Sequence, residues 1–313
     1  MNKLERIDKY ELNDGTSFSI APGWGCNVFS WRVNGAELMY CPDELPAQAT
    51  KISGGGNPIL FPSVGRTWDR SVDPPVRGVY RVHGSDKTYF MPNHGTVFFC
   101  EFRKTGEESS ADRVTATYEL VVPDKVREEN YPFDVGMVHS FTLTPTTVEL
   151  KATITNNGTS SAPVAFGWHP YFQISNAQRE GVEVRLPVTK EVLLGAETNL
   201  PTGESLDTDG IIPLKPDVYY DNAFACTNGL RMSVIDRKAG RSVHVDFGDW
   251  AELFLVYTPD GTDFVCIEPW TKGIGAFEEL KNPGWETTDR ILVLKPGQSV
   301  TYESVFSVEF GTE

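Results

Sequence analysis

The sequence predicts an all-β fold, a large antiparallel β-sandwich, on three observations. Apolar residues recur at every second position through most of the chain, whereas runs with helical apolar spacing are rare. The alternating runs are joined by residues suited to tight turns. No low-complexity linker, fixed-period repeat or abrupt composition shift divides the chain, so residues 1–313 read as one sandwich domain.

In chain order, the run from Cys26 to Val33 meets Asn34-Gly35 and continues from Ala36 to Tyr40, the signature of a hairpin closed by a type I′ turn. The stretch 54–66, Gly54-Gly55-Gly56-Asn57-Pro58 followed by Ile59-Leu60-Phe61-Pro62, is too rich in Gly and Pro for a regular central strand. It predicts a tight loop at which backbone approaches something closely. Arg66, Arg70, Arg77 and Arg81 lie in mixed-charge surroundings and read as a solvated loop. His94 sits at a loop-to-strand junction before the apolar run from Thr96 to Phe102.

Strands follow at 113–122 and 148–154, and Asn156-Asn157-Gly158 turns the second back toward Pro163-Val164-Ala165-Phe166, delivering the chain to His169. Beyond it an irregular region extends to the segment from Val218 to Phe224. Two hairpins come next, one from Arg231 to Phe247 and one from Glu252 to Trp270, and two strands between Arg290 and Phe310 close the chain.

Composition limits the functions available. Hydrophobic residues at 40% and charged residues at 23% suit a folded protein and exclude wholesale disorder. A formal charge of -15 opposes nucleic-acid and anionic-membrane partners and is compatible with a neutral, polyhydroxylated ligand. The opening residues lack the apolar run of a secretory signal or membrane span, which makes the cytoplasm the expected location. Five scattered cysteines, an odd number, predict free and mostly buried thiols. No local His/Cys/Asp/Glu spacing matches a closed zinc site, and no Ser lies in a nucleophile elbow.

Taken singly, the chemistry-bearing residues are ordinary. A histidine among aromatics is usually packed, a carboxylate at a strand end usually solvated, and a loop arginine usually weakly paired. Five segments in order change that balance: GGGNPILFPSVGR at 54–66, NHG at 93–95, FGWHPYF at 166–172, DNAF at 221–224 and CIEPW at 266–270. Together they resemble the aldose 1-epimerase, or galactose mutarotase-like, family and match its more divergent members better than the galactose mutarotases.

The resemblance implies a mutarotase-like supersandwich and an isomerase that interconverts the α and β anomers of a free aldohexose, without metal or organic cofactor. It implies His169 as general acid and Glu268 as general base, with His94 as a second histidine near the ring oxygen. Arg66 and Asp221 would grip sugar hydroxyls. Trp168, Tyr171 and Trp270 are candidate walls for the sugar's apolar face. The expected partner is a small-molecule sugar, with the protein a monomer or homodimer.

An imidazole of ordinary pKa ~6.5 and a carboxylate of ~4.3 are in complementary states near neutral pH, so the expectation is a charged acid and a charged base on opposite sides of one hemiacetal. Two alternatives stand beside it. One is the same chemistry on a hexose 6-phosphate, with Arg66 and Arg70, Arg77 or Arg81 holding the phosphate. The other is a non-catalytic carbohydrate sensor, which would not need a matched acid and base. Glycoside hydrolysis fits less well, because it calls for two flanking carboxylates.

Overall fold

The computed structural model describes residues 6–41, 54–226 and 229–311. Turn chemistry closes the predicted hairpins. Asn34 and Gly35 have φ of 51° and 77°, the left-handed pair a type I′ turn requires. They join Asn27–Val33 to Ala36–Glu37 with Val33 opposite Ala36. Arg231–Asp236 pairs with Arg241–Asp246, and Leu253–Thr258 with Phe264–Trp270, as the alternation predicts.

Two large antiparallel sheets form the sandwich. The nine-stranded sheet runs, edge to edge, Glu101–Ser109, Val114–Val121, Val135–Leu143, Thr147–Asn156, Ser299–Phe310, Arg241–Asp246, Arg231–Asp236, Val182–Arg185 and Ile211–Pro213. The eight-stranded sheet runs Pro201–Asp207, Val188–Leu194, Tyr220–Cys226, Leu253–Thr258, Phe264–Trp270, Gly167–Trp168 and Ile59–Leu60, and Tyr171–Gln173 also pairs with Phe264–Trp270. Among the described residues the sole α-helix is the six-residue Asp124–Glu129, and no helix is long and apolar enough to cross a membrane.

Alternation decides what meets between the sheets. Along Ser299–Phe310 the buried residues Tyr302, Ser304, Phe306 and Val308 face inward. Phe166 stacks on Tyr302 with centroids 4.7 Å apart, and Phe172 meets Phe306 edge-on. Each fully buried phenylalanine contributes about 1.5–3 kcal/mol of transfer free energy. One contiguous cluster of buried apolar side chains extends from Tyr10 to Val308.

The structure differs from the sequence expectations at two places. The run from Thr96 to Phe102 is not a continuous strand: a 3₁₀ turn, Val97–Phe99, precedes Glu101–Ser109. The cause is local, since the Thr96 and Val97 amides both donate to the Phe61 carbonyl and hold the chain in a turn. The region after Gln173 is also more regular than predicted, containing Val182–Arg185, Val188–Leu194, Pro201–Asp207 and Ile211–Pro213. Pro201–Asp207 is exposed along its whole length, so it carries no apolar alternation. Cys26, Cys100 and Cys266 are buried, and Cys41 and Cys226 partly so.

Candidate active site

The site is built from strand register. Gly167 lies opposite Trp270 and Tyr171 opposite Cys266, which brackets His169 with Glu268 across the Pro170 interruption. Leu255 in turn lies opposite Glu268 and Tyr257 opposite Cys266, while Asp221 and Ala223 face Tyr257 and Leu255. Because side chains two residues apart share a face, these positions form one patch of the eight-stranded sheet. Tyr171, Asp221, Leu255, Tyr257, Glu268 and Trp270 of that patch form the floor of a cavity of about 210 Å³.

At its centre, His169 Nε2 lies 3.3 Å from Glu268 Oε1, and the two side chains are 6% and 1% exposed. The Tyr171 ring stacks on His169 at 4.7 Å and 10°, fixing the imidazole plane. The Trp270 indole Nε1 donates to Glu268 Oε2 at 3.2 Å. Glu268 Oε1 and His169 Nδ1 have no hydrogen-bond partner among the described residues. Buried polar atoms normally find one, so unpartnered atoms at a cavity floor are what a polar ligand would satisfy.

Electrostatics revises the expected protonation. Burial lowers the His169 pKa to about 3. It raises Glu268 well above the ordinary carboxylate value, assisted by the charge of Asp221 and opposed by the Trp270 hydrogen bond. Burial thus favours the neutral imidazole and the protonated carboxyl over their charged forms. His169 and Glu268 are adjacent groups on one wall of the cavity, whereas the sequence expectation put a charged acid and a charged base on opposite sides of the sugar.

Loops supply the other walls. His94 adopts φ 63° and Gly95 φ 85°, and a Cβ at Gly95 would overlap the Phe61 carbonyl, so this turn requires glycine after the histidine. The Gly65 amide donates to His94 Nδ1 at 3.2 Å, leaving the proton of a neutral ring on Nε2. Burial, then the charges of His169, Arg66 and Arg77, hold the His94 pKa well below 6.5. Its ring meets His169 and Trp270 edge-on at 5.4 and 5.3 Å. Asp221 accepts hydrogen bonds from Asn199 Nδ2 and Tyr219 Oη, both at 3.3 Å. Its carboxyl is raised chiefly by burial.

Arg66, His94, His169, Tyr171, Asp221, Glu268 and Trp270 thus line one cavity. Trp168 does not. It is fully buried, donates from Nε1 to Ser304 Oγ at 3.1 Å and packs edge-on against Phe166 and His139, because the residue next to His169 on a strand must face the opposite side. Four polar lining residues were not among the candidates: Asn93, Asn199, Tyr219 and Tyr257. Asn93 lies in the NHG motif at 93–95, and Tyr257 carried a signal in its spacing from Leu255 on a strand already predicted.

Arg179, also missed, is buried and donates to the carbonyls of Val218, Thr258 and Pro259, tying the segment before Tyr219 to the neighbouring hairpin. The arginine stretch divides. Arg70 pairs with Glu278 and Arg81 with Asp69, whereas Arg66 and Arg77 have no ion pair or side-chain hydrogen bond among the described residues. Arg66 and Arg77 also border a second cavity that adjoins the first at Arg66 and Asn93.

The fold and site define a class, that of the galactose mutarotase-like proteins. One solved member, a galactose mutarotase-like protein from Clostridium acetobutylicum, superposes with a TM-score of 0.77 over 99% of this chain and 100% of its own at 17% identity. The Slr1438 protein from Synechocystis sp. PCC 6803 superposes with a TM-score of 0.80 over 98% of both chains at 24% identity. In sequence, the protein YphB of Escherichia coli K12 is 28% identical over 183 residues, which is 55% of this chain and 59% of YphB. The family model for aldose 1-epimerase matches residues 8–307, and the chain belongs to the aldose 1-epimerase family.

Proposed function

We propose that the protein is an aldose 1-epimerase that opens and recloses the ring of an aldohexose, exchanging its α and β anomers. The observation that carries this reading is the 3.3 Å approach of His169 Nε2 to Glu268 Oε1 at a cavity floor where Glu268 Oε1 and His169 Nδ1 lack protein partners. Ring opening delivers a proton to the ring oxygen and removes one from the anomeric hydroxyl, as the bond from C1 to the ring oxygen breaks and the C1 carbonyl forms. Both oxygens are attached to C1, so two adjacent groups on one wall can serve them.

Starting from the neutral pair, Glu268 donates to the ring oxygen and His169 takes the hydroxyl proton. The pair is then an imidazolium and a carboxylate, and after rotation about the C1–C2 bond it recloses the ring with the roles reversed. In this second state His169 is the acid and Glu268 the base, the roles that the resemblance assigns them, here in ring closure rather than ring opening. The Nε2–H of His94 and the Arg66 guanidinium stabilise negative charge developing on the sugar oxygens, and Asp221 accepts hydrogen bonds from hydroxyls. Tyr171 and Trp270 wall the cavity. A non-catalytic sensor would have no need of the buried proton-sharing pair.

A second reading keeps the mechanism and adds a 6-phosphate to the sugar. Its support is that Arg66 and Arg77 have no ion pair or side-chain hydrogen bond among the described residues and share the adjoining cavity, against a net charge of -15 that repels anions at long range. Polarimetry or exchange NMR with freshly dissolved α-glucose and α-galactose, and with hexose 6-phosphates, tests both readings. Acceleration of a free aldose is the expected result. Acceleration confined to the phosphorylated sugars selects the second reading, and no acceleration with any sugar favours the sensor.

A further inference from the structure

Cys266 has no role in the chemistry above, yet it shares a sheet face with Glu268 two residues away and lies opposite Tyr171 on the strand that follows His169. One donor atom each from His169, Cys266 and Glu268 lie within 4.8 Å of one another, and all three side chains are buried. An imidazole nitrogen, a thiol sulfur and a carboxylate oxygen are the mixed donor set that zinc prefers among biological divalent ions, and three protein ligands leave a fourth position open. The unpartnered Glu268 Oε1 and His169 Nδ1, on side chains more than nine-tenths buried, belong to this cluster. Zinc–ligand distances of about 2.0–2.3 Å lie within reach of side-chain rotation from this arrangement.

We propose that His169, Cys266 and Glu268 form a binding site for a thiophilic divalent cation, zinc above all, and that the cation excludes sugar from the cavity. Binding displaces the Cys266 thiol proton and the proton held by Glu268, both leaving to solvent, and occupies the groups that would serve the hemiacetal. The protein is thereby inhibited by free zinc and protected from it by sugar. The inhibition rests on the proposed epimerase activity, whereas the site itself does not.

The test uses the full chain and two readouts. Titration with Co²⁺ alone reports thiolate ligation by a near-ultraviolet sulfur-to-metal charge-transfer band, and calorimetry with Zn²⁺ reports affinity. One site per chain with that band is expected. Cys266→Ser should abolish the band and weaken Zn²⁺ binding by roughly 10–100-fold or more, Cys266→Ala should do the same, and Glu268→Gln should weaken binding with the band position shifted. Anomer exchange by Cys266→Ser should match that of the unmodified protein without metal and resist zinc.

Absence of the band in the unmodified protein, or Zn²⁺ affinity unchanged in both the Cys266 and Glu268 variants, overturns the site. A Cys266-dependent band in a protein that accelerates no sugar supports the site and removes only the epimerase reading. Anomer exchange inhibited equally in unmodified protein and Cys266→Ser overturns the proposed exclusion.

Discussion

His169 Nε2 and Glu268 Oε1 stand 3.3 Å apart because one antiparallel register, set by Gly167 opposite Trp270 and Tyr171 opposite Cys266, brings their positions together. The contact has a chemical consequence. Two adjacent buried groups whose pKa values burial drives in opposite directions can act as donor and acceptor in turn, which is what the proposed ring opening followed by ring closing demands.

The pair's environment predicts a broad pH profile. His169 stays neutral until the pH falls to about 3, because its burial disfavours the imidazolium, and Glu268 keeps its proton well above the ordinary carboxylate range. Activity should hold steady across the weakly acidic and neutral range, falling in strong acid as His169 protonates and in base as Glu268 ionises, with midpoints that belong to the coupled pair. Rate against pH checks this, and an acid limb centred near 6.5 would contradict it.

His94 should act through its Nε2–H, since its Nδ1 is engaged by the Gly65 amide. His94→Asn keeps a residue that tolerates the left-handed backbone at φ 63° while withdrawing the ring. Loss of one preorganised donor to developing negative charge costs about 10²–10³ in kcat. Steady-state kinetics should show that loss with a smaller change in KM.

Trp168 and Trp270 should separate cleanly. Trp168→Phe leaves Ser304 Oγ without its indole partner inside the sandwich, a loss of about 1–3 kcal/mol in denaturant unfolding, with KM unchanged. Trp270→Phe removes the donor to Glu268 Oε2 and should alter the kinetics.

His139 is fully buried between Phe141 and Trp168, with both ring nitrogens unpartnered and a pKa lowered by burial to about 3. Unfolding restores an imidazole that protonates near 6.5, so the unfolded state binds the extra proton as the pH falls from 6.5 to about 3 and stability drops through that window. The slope from this group is up to about 1.4 kcal/mol per pH unit. His139→Leu should flatten the dependence by that amount in urea titrations run across the window.

Local chemistry made the hairpins legible: Asn34-Gly35 needs no tertiary information to announce a turn. The motifs around His94, His169 and Glu268 marked the residues that line one cavity, although their mutual contact depends on a register that no short segment contains. Trp168 was misassigned because aromatic neighbours of His169 look alike in sequence, whereas strand alternation sends adjacent side chains to opposite faces. The exposed strand Pro201–Asp207 gave no apolar signal, and Asn199 just before it and Tyr219 just before Tyr220–Cys226 sit in segments without period. Protonation was read from the values groups have in water, which burial overrides.

Glu268→Gln is the most direct measurement of the central claim, because it preserves the shape of the side chain and an oxygen to accept from Trp270 while removing the titratable proton. Exchange NMR between anomers of the preferred aldose should show the rate reduced by roughly 10²–10⁴-fold relative to the unmodified protein, with an unchanged circular dichroism spectrum. A rate equal to that of the unmodified protein would contradict the assignment of His169 and Glu268 as the acid and base pair.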